Sequence, residues 1–212
     1  MLDYSQIEKY DPTGMHKIYD QWPQIAKDAY TSNLETVDFK NIDHIVFAGM
    51  GGSGAIGELF ASILSETKIH VSLVKGYLLP STVDENTLVV TISVSGNTIE
   101  TLTVLATAKD LNCNIIAFSS GGKMEEYCIK NKINFKKIDL IHSPRTSFLK
   151  FSFSILTILN SILPIKKNNI FDTITELSKL RKQISSQNLS NSNPALGLAN
   201  FISGIPLIYY PY

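Results

Sequence analysis

Five short runs rich in β-branched and aromatic residues recur along the middle of the chain, at 45–48, 69–74, 87–92, 114–118 and 133–138. Glycine or serine turns and segments patterned for helix, at about 55–66, 98–110 and 123–131, separate them. Two parallel strands cannot be joined by a tight hairpin and need a crossover, usually a helix. The alternation therefore predicts a doubly wound α/β domain over about 40–165, with a five-stranded parallel sheet between helices.

The flanks read differently. Residues 1–40 carry a helical pattern through Ile18, Tyr19, Trp22, Ile25, Ala26 and Ala29, with Pro12 and Gly14 just ahead of it, and predict a helical docking segment. The apolar stretch 148–163 is interrupted by Lys150, Ser152, Ser154, Thr157, Asn160 and Ser161 and falls short of the roughly 20 apolar residues of a spanning helix, so it predicts a buried helix. Residues 166–194, rich in Lys, Asn and Ser, contain one predicted helix at 171–184 and a polar stretch ending at Pro194, and read as a helical connection. Beyond it come a predicted short helix at 194–201 and a predicted strand at 205–210, and 195–212 reads as the start of an incomplete second α/β unit. The apolar edge of that strand predicts self-association.

Composition narrows the function. With 44% hydrophobic residues in 212, the chain can bury a full core. Its 19 Lys and Arg balance 19 Asp and Glu, which leaves no net field to hold nucleic acid or an anionic membrane. The first residues show no charged segment leading into an apolar one, and Cys113 and Cys128 form no disulfide framework, so the expected compartment is the cytoplasm. Four scattered histidines without ligand spacing predict no metal site.

Two turns stand out. Gly49-Met50-Gly51-Gly52-Ser53-Gly54 follows the first predicted strand and precedes a helix expected near Ala55. Such glycines let backbone N–H groups approach an anion at a helix N-terminus. The spacing also matches G-x-G-x-x-G, but no Asp or Glu stands at the end of the second strand to hold a ribose; Lys75 there could only face a 2′-phosphate. No G-x-x-x-x-G-K-[ST] occurs. The second turn, Ser93-Val94-Ser95-Gly96-Asn97-Thr98, offers three hydroxyls and backbone amides, a neutral phosphate cradle. Its spacing is also that of a capping box, with Asn97 as N-cap and Glu100 at N3. Two such turns at successive strand ends favour ligand contact, because parallel sheets bind ligands beyond their carboxyl edges.

A third element, Ser143-Pro144-Arg145-Thr146, predicts a helix start with Ser143 as N-cap and Pro144 at N1. Arg145 would then sit in the first turn, where the macrodipole disfavours a cation unless an anion lies beside it. A surface ion pair is the alternative reading. Ser119-Ser120-Gly121-Gly122 after the fourth strand is a turn that closes the pocket floor or is merely a turn.

Taken in order, these four turns resemble those of the SIS (sugar isomerase) domain family, and in particular the archaeal and bacterial bifunctional phosphoglucose/phosphomannose isomerases. The resemblance extends over essentially the whole chain. Val94 stands where the family usually has Tyr, and Thr146-Ser147 where small apolar residues are common. The resemblance implies a flavodoxin-like three-layer sandwich and a homodimer that interconverts glucose 6-phosphate or mannose 6-phosphate with fructose 6-phosphate, with no metal or cofactor. By position, Gly52, Ser53, Ser93, Ser95 and Thr98 would contact the phosphate and Arg145 would stabilise a cis-enediolate. The family's base is a Glu in its second SIS domain, with a His and a Lys later still, and the resemblance places all three beyond Tyr212. Glu100 and the four histidines are poor substitutes for it, and a sugar-phosphate-binding module that does not turn over is the other reading.

Overall fold

The computed structural model describes residues 3–163 and 165–202. They form two compact units, one spanning 25–166 and the other combining the N-terminal residues up to Gln24 with those from Lys167 onward.

In the first unit, β1 (His44–Ala48), β2 (His70–Val74), β3 (Thr87–Ser93), β4 (Asn114–Ser119) and β5 (Asn134–Lys137) form one sheet in the order β2-β1-β3-β4-β5. All four pairings are parallel. The inner strands β1 and β3 are buried along their whole length, which is why they read as mostly apolar runs without polar alternation.

The crossovers are α4 (Gly52–Leu64), α5 (Ile99–Lys109) and α6 (Gly122–Asn131). Successive side chains of a strand point to opposite faces, and β1 shows what each face receives. Phe47 stacks on Phe60 of α4 at 5.5 Å, and a Cβ on Gly57 would come within 2.9 Å of the Phe47 Cβ. Val46 and Ala48 turn the other way and pack with Val104 and Ala108 of α5. Leu105 of α5 joins Ala117 with Met124 and Cys128 of α6 on that second face. Helices thus cover both faces, as the strand–helix alternation requires. The 148–163 stretch gives α7 (Phe148–Ile158), which packs beside α4 and buries Phe151, Ile155 and Ile158.

The helical pattern near the N-terminus is realised as α2 (Met15–Asp20) and α3 (Trp22–Thr31), divided at Gln21. An additional helix, α1 (Tyr4–Tyr10), is closed by a capping box between Asp3 and Gln6. In the second unit, α8 (Lys167–Ile184) begins four residues before the predicted start and α9 (Pro194–Ile202) follows. Asp20 accepts from the N–H and the hydroxyl of Ser186, at 3.2 and 2.5 Å, tying the N-terminal segment to the end of α8. The Asn193 side chain caps α9 by accepting from the Ala195 and Leu196 N–H groups. The strand expected at 205–210, and the self-association inferred from it, lie outside the described residues.

Candidate functional site

The order β2-β1-β3-β4-β5 places the switch in winding direction between β1 and β3, and ligands of open α/β sheets bind beyond the strand ends at that point. The turns leaving β1 and β3 meet there. Together with the loop after β5 they line a cleft of about 230 Å3 bounded by Met50, Gly52, Ser53, Val94, Ser95, Thr98, Pro144 and Arg145.

The first turn reaches the cleft because its glycines bring α4 tightly onto the sheet. A Cβ on Gly49 would stand 2.9 Å from the Ser53 backbone carbon and 3.0 Å from the Ile92 carbonyl oxygen. Gly51 adopts φ 53°, a conformation side chains resist, and α4 begins immediately after it, three residues before the expected Ala55. Gly52 faces open space, with no atom within 4 Å of where its Cβ would be. No side chain caps α4. The Ser53 hydroxyl, nearly buried, accepts the Val94 N–H at 3.4 Å and joins the two turns.

The second turn is held from beneath. Ser93 is 1% exposed and does not line the cleft; its Oγ accepts the Gly96 N–H at 3.1 Å and lies 2.9 Å from Thr98 Oγ1. The capping box expected between Asn97 and Glu100 is not formed. Thr98 is the N-cap, without a side-chain cap bond, and the Asn97 N–H donates to Ser95 Oγ at 3.3 Å. The Asn97 side chain is used across the turn instead: its Oδ1 accepts the Lys123 N–H and its Nδ2 donates to the Ser95 carbonyl. This exchange leaves the N-terminus of α5, like that of α4, without a side-chain cap, though the Ser53 and Gly54 N–H groups of α4 donate to the Met50 carbonyl; Gly52, Ser53 and Thr98 at the two ends border the cleft.

Ser119-Ser120-Gly121-Gly122 is not part of the cleft lining. It clamps the second turn: Ser120 donates its N–H and its hydroxyl to the Val94 carbonyl, and the Met124 N–H reaches the Gly96 carbonyl at 2.9 Å. Gly96, at φ 69°, is pressed so closely on the Gly121 carbonyl that a Cβ would overlap it at 1.7 Å.

Arg145 is not in the first turn of a helix. The helix starts at Phe148 with Ser147 as N-cap, and residues 143–147 form a turn ahead of it. The helix macrodipole therefore gives no reason for an anion beside Arg145. What replaces it is position: Arg145 is exposed at the cleft mouth and makes no ion pair among the described residues. Lys75, the other cation considered for phosphate, is paired with Glu58 of α4. Sequence reasoning passed over Met50 as a wall of the cleft, since a lone methionine between glycines carries no signal of its own.

The remaining candidates lie elsewhere. Glu100 is partly buried outside the lining. His16 pairs with Asp11 at 2.7 Å, and His44 and His70 stand at the start of β1 and β2, the amino edge of the sheet, away from the turns. His142 precedes the Arg145 turn with φ 56° and is not in the lining. Among the described residues no cluster of His, Cys, Asp or Glu could hold a metal.

A parallel sheet with two helix N-termini without side-chain caps, three hydroxyl side chains and one free arginine facing a common cleft defines an α/β domain suited to a small anionic ligand. Comparison with known proteins makes the class specific: the SIS domain family model matches residues 38–136, and this stretch is a SIS domain. The chain is 35% identical over 200 residues to a bifunctional phosphoglucose/phosphomannose isomerase of Caldicellulosiruptor bescii, covering 91% of this chain and 58% of that one. A D-glucosamine-6-phosphate 4-epimerase of Sulfolobus acidocaldarius is 35% identical over 113 residues, 53% of this chain and 35% of the other. In fold, it resembles the C-terminal domain of glucosamine-fructose-6-phosphate aminotransferase from Francisella tularensis, with a TM-score of 0.57 at 18% identity over 80% of this chain and 54% of that one. The chain spans about half the length of the curated bifunctional isomerases it matches.

Proposed function

We propose that the cleft binds the phosphate of a hexose 6-phosphate and that the chain serves an aldose–ketose isomerase interconverting glucose 6-phosphate or mannose 6-phosphate with fructose 6-phosphate. The convergence of the N-termini of α4 and α5, both without a side-chain cap, on one cleft with Arg145 at its mouth carries this proposal. Amide donors at helix ends hold a phosphate dianion without a net positive protein, which suits a chain whose charges balance. Gly52 lets the ligand approach the backbone, Ser53, Ser95 and Thr98 supply hydroxyls, and Ser93 holds Thr98 in place. Arg145 is assigned to the oxyanion that develops when a proton moves between C1 and C2 through a cis-enediolate. The names of the matched relatives support the same substrate class. Neither metal nor organic cofactor enters the proposed step, and a cytoplasmic homodimer is the proposed working form.

Proton transfer also needs a base. The cleft lining holds no carboxylate or imidazole among the described residues, which favours, as a second reading, a sugar-phosphate-binding module that does not turn over. Proton NMR of fructose 6-phosphate in D2O with the full chain separates the two. Deuterium entering C1 with growth of aldose signals establishes the isomerase; line broadening without exchange establishes binding alone. A spectrum unchanged by protein at millimolar sugar phosphate would refute both.

A further inference from the structure

The loop that presents Arg145 is built from two side chains that do not touch the cleft. Thr146 and Ser147 are fully buried, whereas Pro144 and Arg145 just before them are exposed. Thr146 Oγ1 lies 2.5 Å from the Ile141 carbonyl oxygen and 2.9 Å from that of Ser143, and accepts the Ser143 N–H at 3.1 Å. Ser147 Oγ lies 3.1 and 2.9 Å from the same two carbonyls and accepts the Ile141 N–H at 2.8 Å. Four main-chain groups of a tight loop thus find partners in two adjacent hydroxyls. Between them His142 takes φ 56°, a left-handed conformation disfavoured for any residue with a Cβ, which the loop must impose.

Each hydroxyl has one proton and two lone pairs, so it can satisfy an N–H and one carbonyl at a time, and the pair together covers both carbonyls. Removing the Ser147 hydroxyl would take the side-chain partner from the Ile141 N–H, and removing that of Thr146 would leave the Ser143 N–H only its bond to the Ile141 carbonyl; either change leaves the two carbonyls one hydroxyl fewer and the loop less firmly held. The Arg145 backbone lies inside this closed set of bonds, one residue from the Pro144 ring whose φ is fixed, so its side chain leaves from a defined point at the cleft mouth. A charge aimed in advance at the ligand needs no reorganisation on binding, and that advantage is lost if its backbone wanders.

We propose that Thr146 and Ser147 are positioning residues for Arg145, acting on the bound sugar phosphate only through that arginine; the inference rests on the proposed phosphate cleft. The test is a double-mutant cycle read as the affinity for fructose 6-phosphate, with Thr146→Val, Ser147→Ala and Arg145→Ala made singly and in combination. Thr146→Val is expected to weaken binding by about fivefold in the Arg145 background and by less than about twofold in R145A. Thr146→Ser, which keeps the hydroxyl, should restore binding. A purely structural role would lower stability but give equal fold-changes in both backgrounds, and that result would overturn the proposal. Ser147→Ala provides the same comparison if Thr146→Val does not fold. Equal affinity of wild type and R145A would instead strike at the assignment of Arg145 itself, an outcome distinct from additivity of the two substitutions.

Discussion

Ser93 Oγ and Thr98 Oγ1 stand 2.9 Å apart across the second turn, and Ser93 also accepts the Gly96 N–H. With one lone pair engaged by Gly96, Ser93 can donate its proton to Thr98, which leaves the Thr98 proton for an anion in the cleft. Thr98→Ala and Ser95→Ala remove donors to a charged ligand and should each weaken sugar-phosphate binding by about 1 to 3 kcal/mol. Ser93→Ala should weaken it by about 1 kcal/mol, and by little more once Thr98 is already alanine. Isothermal titration with fructose 6-phosphate checks this, and a Ser93→Ala loss that persists undiminished in T98A would show that Ser93 does not work through Thr98.

Two glycines of neighbouring turns should respond in opposite ways to the same substitution. At Gly96 a methyl group would overlap the Gly121 carbonyl at 1.7 Å in a backbone with φ 69°, so Gly96→Ala should cost about 3 kcal/mol or more of stability. At Gly52 nothing lies within 4 Å, and Gly52→Ala should leave the unfolding midpoint in urea nearly unchanged while obstructing the ligand's approach to the backbone. A stable G96A, or a G52A that binds sugar phosphate as wild type does, would remove one half of this contrast.

The fold was legible because its signal is periodic and repeated: β1 and β3 are buried along their whole length and mostly apolar, and such strands alternating with helical segments are what a parallel sheet covered on both faces requires. The ingredients of the cleft were legible for a related reason, since glycine- and hydroxyl-rich turns directly after strands have few other uses. The local geometry was not. Asn97 and Glu100 have the spacing of a capping box, yet Asn97 is drawn to the Lys123 N–H from a segment 26 residues away, a tertiary bond that no local pattern announces. Likewise Ser143-Pro144 has the form of a helix start. The hydroxyls of Thr146 and Ser147 instead fold back on the preceding carbonyls and delay the helix to Phe148.

Acidification should destabilise the sheet through His44. Its imidazole lies at the start of β1, with Nε2 3.0 Å from Ser72 Oγ and the ring 4.8 Å from that of His70. Burial, then the charge of His70, lower its pKa below the ordinary 6.5, against smaller opposing effects of a Thr82 backbone bond and the charges of Asp84 and Asp43. The unfolded chain therefore takes up the proton first. The stability conferred by the neutral ring is fully present above pH 6.5 and is lost as the pH falls from there through the lower folded-state pKa. Urea unfolding between pH 7.5 and 5 should show stability falling with pH, with a shallower slope in His44→Gln. An NMR titration midpoint for the His44 ring above 6.5 would reverse the sign.

The protein should also tolerate, and gain from, losing two hydroxyls of its core. Thr91 in β3 and Thr101 in the first turn of α5 are 0% and 1% exposed, and neither Oγ1 has a hydrogen-bond partner. Thr91 lies in register between Ala48 and Ala117, so the space beside it on both neighbouring strands is bounded by small residues. A buried hydroxyl without a partner keeps its desolvation cost and returns nothing, whereas valine has nearly the same shape and no polar atom to satisfy. Thr91→Val suits a strand and Thr101→Val costs a helix little relative to threonine. Each is expected to raise the unfolding free energy by about 1 kcal/mol. Neither residue lines the cleft, so sugar-phosphate affinity should stay at the wild-type value. Loss of stability in either variant would mean that the hydroxyl is satisfied in solution by a buried water, and the gain would be confined to the other site.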